Sequence, residues 1–182
     1  MSQREVPGEE GLDIEALYQQ YRLRIYRAVA GVVFDDAAAE DLTQETFERA
    51  WRSRASYRGG PDEVGAWLYR IAMNTAMSWL RRQRLARLLP TRLFFGVDPG
   101  TASLEHVENQ QLADVALAAL SPKLRAVVVL TYYSGLTRQE IAGVLGVPSG
   151  TVASRLAMAQ QVMRGALDRP PAATRARDEA SA

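Results

Sequence analysis

The sequence predicts an all-α protein built as two small helical domains joined by a flexible linker. Three observations carry this. Strand-like alternation of apolar and polar residues is nearly absent. Long segments instead repeat their apolar residues at three- and four-residue spacing, the period of a helix with one buried face. Between them, residues 90–101 break the pattern with Pro90, Gly96, Pro99 and Gly100. A length of 182 residues suits one medium domain or two small ones, and 47% hydrophobic residues are enough for compact cores.

Each element follows in chain order. Residues 1–12 are polar and acidic and read as a disordered tail, with no apolar run of a signal peptide. The first helix covers residues 14–33, with Asp13 as N-cap and Leu17, Tyr21, Ile25, Ala28, Val29 and Val32 on one side. The longest apolar stretch, residues 28–34, is far short of the roughly 20 residues of a membrane span and reads as a buried helix end. The second helix covers residues 37–54, capped by Asp36, with Leu42, Thr46, Phe47, Ala50 and Trp51 inward. YRGGP, residues 57–61, is a loop. The third helix covers residues 63–88, its apolar face made of Trp67, Leu68, Ile71, Ala72, Thr75, Trp79 and Leu80. These three helices form a bundle over residues 13–89.

The linker covers residues 90–108, and its Phe94 and Phe95 are apolar enough to dock on a module or on a partner. A helix then runs from about residue 103 to 120. Ser121 and Pro122 read as an N-cap with proline at the first helical position, and Gly135 closes the helix that follows. The second domain covers residues 109–168, and the tail from 169 to 182 lacks apolar anchors and reads as disordered.

The sharpest local pattern is LTRQEIAGVLGVPSGTVASRL, residues 136–156. Thr137 and Glu140 have capping-box spacing, Ala142 is small where two helices cross, and Gly146 can take the positive φ of a tight turn. Val147 fills the space under that turn, Ser149 is placed to cap the second helix, and Ile141, Leu145, Val152 and Leu156 supply a shared core. This is a helix-turn-helix, whose second helix enters the major groove of duplex DNA. Ser149, Gly150, Thr151, Ser154 and Arg155 then lie on its outer face. Backbone amides and hydroxyls at the helix start suit a phosphate. Arg155 could reach guanine or phosphate, or pair with a surface neighbour.

The net charge of +1 conceals a segregation. Residues 35–48 carry Asp35, Asp36, Glu40, Asp41, Glu45 and Glu48 with no basic residue, whereas residues 64–97 carry six arginines with no acidic one. Such asymmetry suits a nucleic-acid surface and a separate acidic surface for another partner, or two solvated helix faces. The absence of cysteine excludes disulfides and thiolate metal sites and suits a reducing, cytoplasmic setting. No cofactor or metal site is expected. Asp36, Glu40 and Asp41 could cluster as hard-cation ligands, but His106 is the single histidine and no nucleophile–base pair is visible, which argues against an enzyme.

DLTQETFERAW (residues 41–51), then Tyr57–Arg58–Gly59, then AWLYRIAMNTAMSWLRR (residues 66–82), resemble region 2 of extracytoplasmic-function sigma factors of the sigma-70 family. Residues 116–167 resemble region 4, and the resemblance covers about residues 14–88 and 109–167 in the family's order. It implies a subunit that binds core RNA polymerase and directs promoter recognition, melting and initiation. Asp41, Gln44 and Glu45 are the positions it implies against the clamp helices of the largest polymerase subunit. Tyr57, Arg58 and Asn74 are those implied for a flipped base of the melted minus-ten element, with Arg81 and Arg82 on its phosphates. Tyr57 could stack on that base or cover the bundle core. Region 4 would read the duplex minus-thirty-five element and dock on the polymerase flap. An anti-sigma factor is the further partner implied, with no membrane and a monomeric free state.

The chain departs from the family pattern where cations are common. Ala153 stands for a usual lysine, Met158 and Gln160 for usual arginines, and Met73 for a common arginine. Ser78 replaces a common aspartate, and the loop before Trp67 is about one residue longer than usual. A conventional helix-turn-helix repressor or activator is the competing reading. It would recognise a near-palindromic site without polymerase, and the DLTQETF and Asn74 segments argue against it.

Overall fold

The structure is a computed structural model that describes residues 12–88 and 107–168. Among the described residues it has seven α-helices: α1 (Ile14–Val33), α2 (Asp36–Ser53), α3 (Val64–Leu88), α4 (Val107–Ala118), α5 (Pro122–Tyr133), α6 (Arg138–Leu145) and α7 (Ser149–Leu167). Short 3-10 turns occupy Arg54–Ser56 and Pro61–Glu63, and no strand occurs among the described residues. Phe94, Phe95 and His106 lie outside the described residues, as do the expected tails except Leu12, which packs against the core.

Capping chemistry explains most boundaries. The Asp13 carboxylate accepts from the Ala16 amide at 3.0 Å, as its position predicts. α1 ends at Phe34, whose φ of 57° turns the chain through the left-handed region. That reversal leaves Asp35 extended, so Asp35 and not Asp36 caps α2, accepting from the Ala38 amide at 2.8 Å. Asp36 becomes the first helical residue and accepts from the Tyr26 hydroxyl at 3.4 Å.

In α2 the buried arc is Ala39, Leu42, Thr43, Thr46, Phe47 and Ala50. The Thr43 and Thr46 hydroxyls are satisfied by donating to the Ala39 and Leu42 carbonyls, both at 2.7 Å. Trp51, expected inward, is 54% exposed. The helical turn carries it past the edge of that arc, and the Arg54 guanidinium covers its ring at 3.8 Å from the centroid. Trp67 and Trp79, expected as core, are partly buried against it.

One apolar core runs through both halves. It joins Ile25, Val29 and Val32 of α1 with Leu68 and Ala72 of α3, and continues into Val127 and Val129 of α5 and Ile141 and Val144 of α6. Burying each such aliphatic side chain stabilises by about 1.5–3 kcal/mol. α5 lies along α1 and α6 lies against α3. At the α1–α5 crossing, a Cβ placed on Gly31 would sit 3.1 Å from Val129 Cγ2, so glycine permits the close approach.

Arg125 spans the two halves. Its Nε donates to the Leu117 carbonyl at 3.0 Å, its Nη2 to Leu120 at 2.9 Å, and its Nη1 to Val32 at 2.7 Å. The guanidinium lies over the Phe34 ring at 4.4 Å and is only 9% exposed. One cation thus serves the carbonyl ends of α4 and α1, where helix dipoles favour positive charge. Burial lowers its pKa.

Candidate nucleic-acid interface

Three surfaces gather the residues singled out by the sequence. The first is a stripe on α2. Asp41 and Gln44 are exposed, and Glu45 is half-buried beside them. Local pairs fix their orientation: Gln44 Nε2 donates to Glu48 Oε1 at 3.1 Å, and Arg49 binds Glu45 Oε1 at 2.9 Å and 2.6 Å. Exposed Glu48 and Trp51 prolong the stripe at helical spacing. The apolar character of Trp51 reads as core, whereas its offset from the buried arc leaves it exposed. A hollow of about 260 Å³ beside the stripe is lined by Tyr18, Arg22, Tyr26, Asp41 and Gln44. Burial, with Asp36 and Glu40 nearby, pushes the Tyr26 phenol up, so it stays a neutral donor.

The second surface is the loop before α3. The Tyr57 hydroxyl donates to the Gly60 carbonyl at 2.7 Å, and its ring lies 4.9 Å from that of Trp67 at a 50° tilt. This fold-back requires Gly59: a Cβ there would lie 2.5 Å from the Tyr57 hydroxyl and 2.7 Å from a Glu63 oxygen. Glu63 closes the loop from the other side by accepting from the Gly60 amide at 3.3 Å. Arg58 is exposed, its Nη1 donating to the Ala55 and Tyr57 carbonyls at 2.6 Å and 3.0 Å. Burial above all, then Glu63 and Tyr21, push the Tyr57 phenol up.

Tyr57 is half-buried, so it both covers the core edge and presents part of its ring to a cleft of about 610 Å³. Arg58, Trp67 and Arg70 share that wall, and Glu140, Gly143 and Val144 of α6 form the opposite one. Asn74 is exposed one turn beyond Arg70. Arg81 and Arg82 are exposed farther along α3, about 18 Å from Arg70 at 1.5 Å per residue. Arg81 donates to the Ser78 hydroxyl at 3.3 Å. Tyr57 and Arg58 are therefore brought together, with the other cations strung along the helix as a track. Arg70 joins them; its signal was the acid-free run of arginines.

The third surface is the start of α7. The capping box at α6 forms as its spacing predicts: Glu140 Oε2 accepts from the Thr137 amide at 2.7 Å, and Thr137 Oγ1 accepts from the Glu140 amide at 3.3 Å. These bonds hold the Glu140 carboxyl below its ordinary value. Gly146 takes φ 63° at the turn. Ser149 is not the cap of α7. Pro148 holds that extended position, and its carbonyl accepts from the Thr151 and Val152 amides at 2.9 Å and 3.3 Å. The Ser149 and Gly150 amides have no intrahelical acceptor in the first turn, and both residues are exposed. Ser154 is exposed, while Thr151 and Arg155 are half-buried. Arg155 makes no ion pair among the described residues. No grouping of three metal-ligating residues occurs among the described residues, and no single helix there is long and apolar enough to cross a membrane.

The family model described as Sigma-70 region 2 matches residues 17–86, and that described as Sigma-70, region 4 matches residues 110–161. The chain is 37% identical over 156 residues to the ECF RNA polymerase sigma factor SigE of Mycolicibacterium smegmatis, covering 82% of this chain and 60% of that protein. It is 32% identical over 154 residues to the ECF RNA polymerase sigma factor SigL of Mycobacterium tuberculosis, covering 83% of this chain and 86% of that protein. Its fold is similar to that of the sigma factor RpoE of Bartonella quintana, solved in complex with the anti-sigma factor NepR. That similarity has a TM-score of 0.70 at 25% identity, over 86% of this chain and 99% of the other.

Proposed function

The chain belongs to the extracytoplasmic-function sigma factors, and from that membership we propose that it binds core RNA polymerase and directs it to promoters for melting and initiation. The observation that carries this reading is the pinned Tyr57–Arg58 loop beside the Asn74 and Arg81–Arg82 face of α3, in the same chain as a helix-turn-helix. A conventional regulator needs only the latter. An aromatic ring presented to a cleft that Arg58 and Arg70 share with Glu63 and Glu140 suits stacking on an unpaired base, and Asn74 can read a base edge. Arg58, Arg81 and Arg82 can neutralise the phosphates on either side. Residues 13–89 act as the minus-ten and polymerase module, and residues 109–168 as the minus-thirty-five module. In the latter, Ser149, Gly150 and Thr151 offer backbone and hydroxyl donors to phosphate, while Ser154 and Arg155 face the groove.

The α2 stripe of Asp41, Gln44 and Glu45 docks on the clamp helices of the largest polymerase subunit, and the minus-thirty-five module also meets the flap. The likeness to a relative solved with its anti-sigma factor supports an inhibitor of that kind here. The protein works in the cytoplasm, monomeric when free, and directs an enzyme without being one. Titration of core polymerase with labelled protein tests the reading. Combining Gln44→Ala with Glu45→Lys should weaken holoenzyme assembly about tenfold or more while helicity is retained, because both changes fall on exposed or half-exposed positions of one stripe. Unchanged affinity would remove the α2 assignment.

A further inference from the structure

We propose that α7 reads thymine: the side chains of Ala157 and Met158 contact the 5-methyl groups of T·A pairs in the minus-thirty-five duplex, at a place where a cation would select guanine. The proposal rests on the minus-thirty-five role given above to residues 109–168. Helical phase is its first support. Val152 and Ala159 are buried, and Leu156 and Met163 pack beside them, so these four mark the face of α7 that meets the rest of the module. Gly150, Ser154, Ala157, Met158 and Gln161 are all exposed and recur at three- and four-residue spacing on the other side. In a helix-turn-helix that outer side lies in the major groove. With the Ser149 and Gly150 amides on phosphate, Ala157 and Met158 sit about 12–14 Å farther along the helix, past the backbone and against base edges.

The second support is the chemistry of that face. In the major groove guanine offers two acceptors, adenine an acceptor and a donor, cytosine an amino donor, and thymine an acceptor and a methyl group. From Ser149 to Met163 the chain carries a single charge, Arg155. Arg155 is half-buried and so lies nearer the packed face than Met158, which is 56% exposed. The outer face therefore has no carboxylate for cytosine and no cation for guanine. The Ser154 hydroxyl donates to the Thr151 carbonyl at 3.1 Å, and its free lone pair suits the amino group of adenine or cytosine alike. Selectivity is left to two neighbouring apolar groups, the methyl of Ala157 and the thioether of Met158. Thymine is the base that presents an apolar group to them, and burying its methyl removes apolar surface from water on both sides. The unbranched methionine stem adapts its rotamer to that contact. A G·C pair in the same place would lose water from its polar edge and gain no partner for it.

Holoenzyme assembled from the full-length chain and core polymerase is used to select duplexes from a pool randomised across the minus-thirty-five element. The expected result is an element with one position at which the wild type prefers T·A and Met158→Arg prefers G·C, the other positions keeping their preference. On the selected duplex, replacing that thymine by uracil removes the methyl and nothing else. Wild-type binding should weaken about three- to fivefold, the worth of one buried methyl. Met158→Ala should bind the thymine and uracil duplexes nearly alike. Equal wild-type binding to the two duplexes, a wild-type preference for G·C at the position that Met158→Arg alters, or no position altered by Met158→Arg overturns the proposal and leaves the promoter role standing. Selection that enriches no minus-thirty-five element at all removes that role and the proposal with it. Titration of core polymerase is run in parallel. If Met158→Ala weakens assembly as much as it weakens DNA binding, Met158 is a protein contact and the thymine reading fails.

Discussion

The two surfaces proposed to meet DNA are built in opposite ways. The loop and α3 use side chains: an aromatic ring pinned by its own hydroxyl to Gly60, and arginines at positions 58, 70, 81 and 82. The start of α7 relies on backbone amides and small hydroxyls, with Arg155 its one cation in the first two turns. Ala153 is half-buried, and Met158 and Gln160 are exposed without charge. A surface of the first kind gains affinity from stacking and counterion release. One of the second kind gains orientation more than strength, because amides and hydroxyls position a helix on phosphates without releasing many ions. The difference teaches that neither surface should suffice alone, and that tethering both to one polymerase supplies the missing strength.

The comparison breaks most visibly at Tyr57. Tyr57→Ala should remove stacking worth about 1–3 kcal/mol, weakening single-stranded minus-ten binding about 5- to 150-fold while leaving duplex binding alone. Tyr57→Phe should keep most of the stacking and lose only the bond to Gly60, about 0.5–1.5 kcal/mol of loop order. Anisotropy with single-stranded and duplex probes reads both, and permanganate footprinting reads melting. Equal losses on the two probes would show that Tyr57 holds the fold and not the base. On the other surface, Arg155→Ala should cost about 1–2 kcal/mol of duplex affinity, in the lower part of the range for a base contact, since the side chain is half-buried and unpaired among the described residues. Competition with single-base variants of the duplex checks this: a base contact relaxes specificity at one position, a phosphate contact weakens all sequences alike.

How much of this was legible in the sequence depends on range. α1 begins and ends where its cap and apolar period place it, and the Thr137–Glu140 box forms as its spacing predicts. At the start of α2 both Asp35 and Asp36 carry a carboxylate able to cap, whereas at α7 the cap position falls on Pro148, which has no capping side chain; only the backbone conformation decides either boundary. Trp51 is exposed because helical phase, and not hydrophobicity, sets which face of α2 it takes. The packing of α5 on α1 was illegible: Arg125 binds Val32 from 93 residues away, and periodicity carries no information over that range. A lone arginine entering the apolar run Ala126 to Leu130 was the only trace, a charge with no evident partner in a segment that had to be buried. Of the candidate positions, those that share one face of a single helix, such as Asp41, Gln44 and Glu45, could be placed together from the sequence. The opposition of α6 to the loop could not, because it depends on how the two modules meet.

A smaller effect separates the supports of the two surfaces by pH. Thr137→Ala removes the cap of α6 and should cost about 1 kcal/mol at neutral pH, measured by urea unfolding. The Glu140 carboxyl is held below its ordinary 4.5 by hydrogen bonds from the Thr137 side chain and amide. A depressed carboxylate contributes stability above its unfolded value and loses it as pH falls through the folded value. The gap between wild type and Thr137→Ala should therefore be full at pH 7 and shrink as pH falls below 4.5. Tyr57, neutral throughout because its phenol is pushed up, should show no such change in its bond to Gly60 over the same range.

The finest test concerns Ala153, where the family usually carries a cation. Ala153→Lys should let the lysine stem lie along the half-buried surface and place its ammonium at the edge of the helix, near the phosphates that the Ser149 and Gly150 amides approach. One added phosphate contact makes the slope of log affinity against log salt steeper by about 0.9. The affinity gain itself should be only a few-fold at moderate salt, because an exposed ammonium is well solvated before it binds. The full-length chain is the right material. A fragment of the second domain would expose Val127 and Val129 and leave Arg125 without the Val32 carbonyl. A salt series on a minus-thirty-five duplex with wild type, Arg155→Ala and Ala153→Lys should give three parallel-ordered slopes, shallowest for Arg155→Ala if that residue meets phosphate. If the wild type already shows a steep slope that Ala153→Lys does not change, cations elsewhere on the chain carry the phosphate contacts. The contrast between a side-chain surface and a backbone surface would then fail at its weaker member.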